Sequence, residues 1–277
     1  MSQANLSRDA SGEIAPFLPN LVEQLHAAET DLRFAAANKL SDAAWRGQDI
    51  ELAIPVLETL FDDEAVPSSS AKYNPVSTIW LSVGHKATCA VTHHYRHRRD
   101  GAALGRLIAV GGLVTVRALH ALRAAEDAEE IAMMMPLVSE QLSNSDDTVR
   151  RAAAALVSKY SFLARQWDVI ANLLDSDTEM VRLGALGTLD DLAEAADHKD
   201  YDLTPVVPSL LRVFAREGRD CKKTRVAAAR VLNWLILRQG KMSATSFALN
   251  GVDIMGIAEV RAELRAIKRF AAKHREG

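Results

Sequence analysis

Apolar residues in this chain recur three and four positions apart, with polar residues between them, over stretch after stretch of ten to seventeen residues. That spacing predicts amphipathic helices. No convincing run of alternating Val, Ile, Thr and aromatic residues bounded by turns is present, so essentially no strand is expected. The helical stretches share a phrase: a small apolar residue, an arginine, and an alanine three places on. It stands as Leu32-Arg33 with Ala36, Val149-Arg150 with Ala153, Val181-Arg182 with Ala185, and Thr224-Arg225 with Ala228. Weaker copies start at Val83, with Gly84 in the arginine place and Ala87 present, and at Val116-Arg117, with His120 in the alanine place. The starts at 83, 116, 149 and 181 lie 33, 33 and 32 residues apart. A fixed period in that range is the mark of a helical repeat array, which makes the chain one continuous domain over 1–277.

Each repeat reads as two antiparallel helices, the second opening on the arginine phrase. The clearest copy runs from Met133 to Phe162: a first helix over Met135–Leu142, a turn Ser143–Asp147, and a second helix capped by Asp147 and Thr148. The next copy has its first helix over Trp167–Leu174, a turn at Asp175–Asp177 and a second helix from Val181 to Leu192. The period is broken twice. The starts at 32 and 83 are 51 apart, and the excess falls in Asp62–Pro75, where Pro67-Ser68-Ser69-Ser70 and Asn74-Pro75 read as an exposed loop. The starts at 181 and 224 are 43 apart, with Asp197–Asp200 as the inserted stretch. The expected division is therefore 12–61 for the first repeat, 62–75 for the loop, 76–240 for further repeats and 241–277 for a C-terminal cap. In that cap Ile257, Val260, Leu264, Ile267 and Phe270 form one side of a helix, and Arg261, Arg265, Lys268 and Arg269 crowd the other.

Pro136, Asp147, Val149, Arg150, Ala153 and Leu156, and again Pro208, Arg225, Ala228 and Leu232, resemble the pattern of HEAT-like (armadillo-type) helical repeats. The resemblance covers about Glu13 to Leu237. It implies an all-α, right-handed α-solenoid of about six helix hairpins with a C-terminal capping helix. It also implies that Arg33, Arg150, Arg182 and Arg225 are structural, pairing along the stack with the turn aspartate of a neighbouring repeat.

Composition agrees with close helix packing: 48% of the 277 residues are hydrophobic and only 5% aromatic. Two distant cysteines, Cys89 and Cys221, give no disulfide framework. Met1–Gly12 lacks a signal-peptide apolar core, and the longest apolar run, Leu107–Val116, is too short for a bilayer. A cytoplasmic protein without a membrane partner is expected. The net charge of −3 conceals blocks: −8 over 1–71, +7 over 72–123, −11 over 124–202 and +9 over 203–277. Such striping selects partners more than it sets the fold.

Chemistry concentrates in Val76–Arg99. Ile79, Val83, Ala87, Ala90, Val91 and Tyr95 form an apolar stripe, while His85, Cys89, His93 and His97, four apart, form a second row. The row is too extended for all four to reach one ion, and further ligands would have to come from a neighbour such as His120. A solvated polar face with a buried Cys89 is the expectation, with no metal and no cofactor. Lys86, His94, Arg96, Arg98, Arg99 and Arg106, with Trp80 and Tyr95 among them, make a basic patch suited to an acidic protein surface or to phosphates. Arg98-Arg99-Asp100-Gly101 also reads as a helix end capped by glycine. No nucleophile elbow, phosphate loop, HExxH or clean dinucleotide fingerprint is present, and the His-Glu pairs of HEAT-fold di-iron hydroxylases are missing, so no catalytic residue is assigned. The reading is a non-enzymatic module that binds a protein or peptide in a concave groove, as a scaffold, adaptor or immunity-type protein. Lys86, His93, Arg96, Arg117 and Arg151 are the contact candidates. The alternative is a nucleic-acid-binding protein of the alkylpurine DNA glycosylase type, with Trp45 and Asp49 as its pointers. HEAT-like repeats also occur in lyases or chaperones of tetrapyrrole-bearing proteins, a third class.

Overall fold

The computed structural model describes residues 13–68, 81–195, 203–215 and 222–239. The inserted stretch at 197–200, the cap at 241–277, Trp80 and Cys221 lie outside the described residues. All regular structure among the described residues is helical. The chain divides into two compact units, residues 1–138 and 139–277.

The first unit holds α1 (Leu18–Leu25), α2 (Thr30–Trp45), α3 (Ile54–Thr59), α4 (Val83–His97), α5 (Gly101–Ala109), α6 (Gly112–Leu122) and α7 (Glu129–Ala132). The division between the units falls within α8 (Met135–Glu140). The second unit holds α9 (Asp147–Leu163), α10 (Trp167–Asp175), α11 (Glu179–Ala195), α12 (Val207–Ala215) and α13 (Lys222–Gln239). Consecutive helices pack as pairs: α1 with α2, α3 with α4, α5 with α6, α10 with α11, α12 with α13. The second helices also pack on one another, α4 against both α2 and α6, and α11 against both α9 and α13.

Small residues make this side-by-side packing possible. Ala36, Ala37, Ala87, Ala90, Ala153, Ala154 and Ala185 are all completely covered. Gly184 carries the tightest approach in the second unit, since a Cβ there would stand 2.2 Å from the Arg151 carbonyl oxygen on α9. Beside it Thr188 donates its hydroxyl to the Ala155 carbonyl at 2.8 Å.

The repeat arginines have a common task. Arg33 donates to the carbonyls of Ala27 and Ala28 at 2.9 and 2.8 Å. Arg150 donates to the Asn144 carbonyl, Arg182 to that of Ser176 at 2.5 Å, and Arg225 to that of Phe214 at 3.0 Å. Each acceptor sits at or just past the end of the preceding helix, where carbonyls have no partner of their own and the helix dipole is negative. The guanidinium therefore closes the bend of its own hairpin. A bond along the stack, expected for all four, is seen for Arg33, which also meets Asp63 at 2.9 Å. Arg150 instead pairs with Asp147 of its own hairpin. Asp147 is the first residue of α9 rather than its cap; Asp146 caps it, accepting from the Thr148 amide at 2.7 Å.

Two further expectations are revised. The described part of the 62–75 stretch is not a plain surface loop. Its carbonyls take the orphan amides at the start of α4, Val83 to Ala65 at 3.0 Å and Gly84 to Asp63 at 2.7 Å, and Ser68 is tied to Asp31 on α2. The end of α4 also differs from the glycine cap expected there. Arg99, at φ +54°, takes the left-handed position, Asp100 caps the next helix by accepting from the Ala103 amide, and Gly101 is that helix's first residue. Gly111 and Gly112, at φ +90° and +54°, form the turn between α5 and α6.

Candidate functional site

Helix α4 gathers the unusual chemistry of the molecule. Ser82 starts it, accepting from the His85 amide at 3.2 Å. Because α2 and α6 flank it and α3 and α7 also touch it, little of its surface is left open. Cys89 is buried as expected, at 7% exposed, but His85 and His93 are each only 6% exposed, so the polar face expected to be solvated is buried with it. Thr88 and Thr92 are covered too, and each returns its hydroxyl to the carbonyl one turn earlier, at 2.8 and 2.7 Å.

Burial sets the protonation of the row. Desolvation, reinforced by the nearby charge of Lys86, lowers the His85 pKa to about 3. Desolvation, with Arg96 next in effect, lowers that of His93 to about 3. The Cys89 thiol is pushed up to about 12 by burial. Both imidazoles are thus neutral at pH 7, and the thiol keeps its proton. The Cys89 Sγ lies 3.6 Å from His85 Nε2 and 3.8 Å from Nδ1. His120 on α6 comes across with its ring centroid 6.1 Å from that of His85, edge to face. His97 leaves the row: its Nε2 lies 2.9 Å from the Trp45 carbonyl oxygen and 3.2 Å from Arg96 Nη2.

The five contact candidates differ in exposure and in the unit that holds them. Lys86 is half-buried, with its ammonium 6.0 Å from the Phe34 ring centroid. His93 shows only an edge, and its Nδ1 is buried without a hydrogen-bond partner. Arg96 is 4% exposed; its Nε stands 3.6 Å from Glu130, and Nε and Nη1 are buried without a hydrogen bond. Burial lowers its pKa, and Glu130 opposes that.

Arg117 is 0% exposed, which removes it from any surface. It donates to the Phe61 carbonyl at 2.9 Å, to both oxygens of Glu64 at 2.8 and 2.9 Å, and to Ser82 Oγ at 2.9 Å. A Cβ on Gly84 would stand 2.4 Å from the Phe61 oxygen and 2.9 Å from Arg117 Nη1. The guanidinium missing from the repeat at position 84 is thus supplied by the arginine of the following hairpin. Arg151 is exposed on α9, in the second unit.

One cluster has no signal in the sequence. Asp49, Glu51 and His94 bring an oxygen or nitrogen each within 4.8 Å of one another. Arg98 already occupies it, donating to Asp49 at 3.0 Å and lying 3.1 Å from Glu51, while His94 Nε2 meets Glu51 at 3.0 Å. The Glu51 backbone amide, before any charge, lowers the Asp49 pKa. The group reads as a clip tying the segment after α2 to the end of α4. It also accounts for Asp49, one of the two glycosylase pointers. The other, Trp45, is the last residue of α2, 52% exposed, at a helix end closed by Gly47 with φ +76°.

In the second unit a cleft of about 400 Å³ lies among α9, α10, α11 and the segment 139–143. Hydroxyl and amide groups of Ser139, Ser143, Asn172 and Thr178 rim a floor that includes Val157 and Val181, and no titratable side chain lines it. The buried histidines and thiol of α4 therefore belong to the first unit and the cleft to the second.

No helix among the described residues is long and apolar enough to cross a membrane. No protein-family model and no curated protein matches the chain. Among solved structures, the complex of CpcE and CpcF of phycocyanin lyase from Nostoc sp. PCC7120 is similar at 14% identity and a TM-score of 0.33, over 90% of this chain and 97% of that one. Likeness that slight transfers neither activity nor architecture, so the functional reading rests on this chain's own residues.

Proposed function

We propose that the chain is a HEAT-like array of helix hairpins that works as a non-enzymatic module, binding an acidic protein or peptide on its second-helix surfaces. The observation that carries the reading is the repeated lock of an arginine onto the turn of its own hairpin. Combined with the stacking of α2, α4 and α6, and of α9, α11 and α13, it presents one second helix per repeat side by side. Lys86 and Arg151 are the accessible contacts from the original five, and His93 is 6% exposed. Arg96 and Arg117 serve the framework.

The test is retention of partners by the immobilised chain at low and high salt, with and without nuclease. The reading expects a protein partner that survives nuclease and is lost from the Lys86→Glu, Arg151→Glu double variant. Retention of nucleic acid alone, falling steeply with salt and abolished by nuclease, would overturn it in favour of the nucleic-acid class.

A further inference from the structure

The cleft of the second unit is apolar at its floor and acidic around its edge. Glu140, Asp168, Asp177 and Glu179 stand next in sequence to the lining residues Ser139, Val169, Ser176 and Thr178, and none of the four acids is in an ion pair among the described residues. We propose that this cleft seats the chain's own segment 257–273. The proposal goes beyond the partner-binding reading and does not depend on it.

Charge supports it first. Three cations of this region are already engaged: Arg150 with Asp147 and the Asn144 carbonyl, Arg182 with the Ser176 carbonyl, and Arg212 with Asp175. The four remaining acids give the edge of the cleft a negative field, which favours a cationic occupant. The segment 257–273 lies outside the described residues, and its sequence has the matching pattern. Ile257, Val260, Leu264, Ile267 and Phe270 recur three and four apart, and the five cations Arg261, Arg265, Lys268, Arg269 and Lys273 outnumber the carboxylates Glu259 and Glu263. Apolar side chains at that spacing suit a floor that includes Val157 and Val181, while long cationic side chains reach past them to acids at the edge.

Reach supports it second. Helix α13 ends at Gln239, in the same unit as the cleft. The 17 residues 240–256 separate it from the segment. A chain of that length spans up to about 55 Å when extended. A compact body of about 140 residues has a radius of gyration of about 14 Å, so the cleft is within range of the tether. A tethered segment meets its site at an effective concentration on the order of 1 mM, so an intrinsic Kd of about 0.1 mM keeps it seated about nine-tenths of the time. Seated there, it closes the cleft to other basic segments.

The experiment places a photoactivated benzophenone side chain at Asn172, an exposed position on the rim, in the full chain at low concentration. Irradiation should give a product with the mass of one chain, cross-linked within 257–273. The Leu264→Glu, Ile267→Glu double variant should reduce its yield about tenfold, because a carboxylate cannot settle on an apolar floor. Glu140→Lys with Asp177→Lys, both at exposed positions, should lower the yield as well, and melting of that variant checks that the fold is intact. A second measurement titrates chains without the probe with a synthetic peptide of residues 257–273. The Leu264→Glu, Ile267→Glu chain, its cleft vacated, should bind the peptide about tenfold tighter than the unaltered chain, as the tether's effective concentration requires. A cross-link at the mass of two chains would assign the cleft to a second copy and overturn the proposal. A cross-link outside 257–273, no cross-link at all, or equal peptide binding by the two chains would overturn it too. Each of these results leaves the partner reading at Lys86 and Arg151 standing.

Discussion

Helices α4 and α9 hold the same place in the repeat and are packed by opposite means. Helix α9 is filled with small apolar residues, Ala153 through Val157, and its arginine closes its own turn. Helix α4 encloses His85, Thr88, Thr92, His93, His94 and Arg96, has a glycine in the arginine place, and borrows Arg117 from the next hairpin. The donor at a bend is negotiable: Arg117 serves the Phe61 carbonyl of the preceding hairpin, and at the bend between α5 and α6 the Thr115 hydroxyl donates to the Ile108 carbonyl. Gly184, two places past the arginine of its own repeat, is a second glycine at a close backbone approach, there with no arginine beside it.

The contrast is broken most severely at Arg117. Arg117→Ala empties a fully buried site and removes at once the donor to the Phe61 carbonyl, to Glu64 and to Ser82, so a loss of about 3 kcal/mol or more is expected in urea unfolding. Arg182→Ala, which frees a turn carbonyl that water can reach, should cost only about 1–2 kcal/mol. Equal losses would remove the distinction between a borrowed and a local lock.

Acid sharpens the same contrast. The folded-state pKa values of His85 and His93, about 3, lie below the unfolded value near 6.5. Between those limits the unfolded chain binds more protons, so stability is full above pH 6.5 and declines as pH falls toward 3, by up to about 1.4 kcal/mol per pH unit for each histidine. No histidine stands among the described residues of 139–277. Hydrogen exchange at pH 4.5 should therefore accelerate in α4 before α9. The reverse order would refute the account of the buried row.

A finer test uses two glycines of α11, whose effects have opposite sign. Gly184→Ala would force a Cβ against the Arg151 carbonyl and should destabilise by about 1–3 kcal/mol. Gly187, three residues on, has nothing within 4 Å of the same position, and Gly187→Ala should stabilise by up to about 1 kcal/mol. Thermal melting of the two variants should shift in opposite directions.

The helices and their pairing were legible because both follow from local rules. Apolar spacing marked α9, α10 and α11 to within a few residues, and the arginine phrase marked where second helices begin. The arginine's target was not legible, because the competing acceptors, a turn carbonyl and a neighbour's carboxylate, are separated by geometry that spacing does not carry. The same holds for the trade between Gly84 and Arg117, which depends on a contact with Phe61, 56 residues from Arg117. Residues 85, 89 and 93 were picked out correctly as a row, yet their burial depends on α2 and α6 closing over them. Arg99 and Arg165 occupy left-handed turns without being glycine or asparagine, so the sequence offered no sign of those bends.

A hairpin whose bend is fastened by its own arginine carries its closure with it wherever it is moved. Excising or copying the segment that contains Arg182 and Ser176 would leave the other fastenings whole, whereas cutting between Ser82 and Arg117 would undo one hairpin by removing part of another. The stretch from Phe61 to Arg117 is therefore the least transplantable part of the chain, and length variation should be tolerated on the side of Arg150 and Arg182 first.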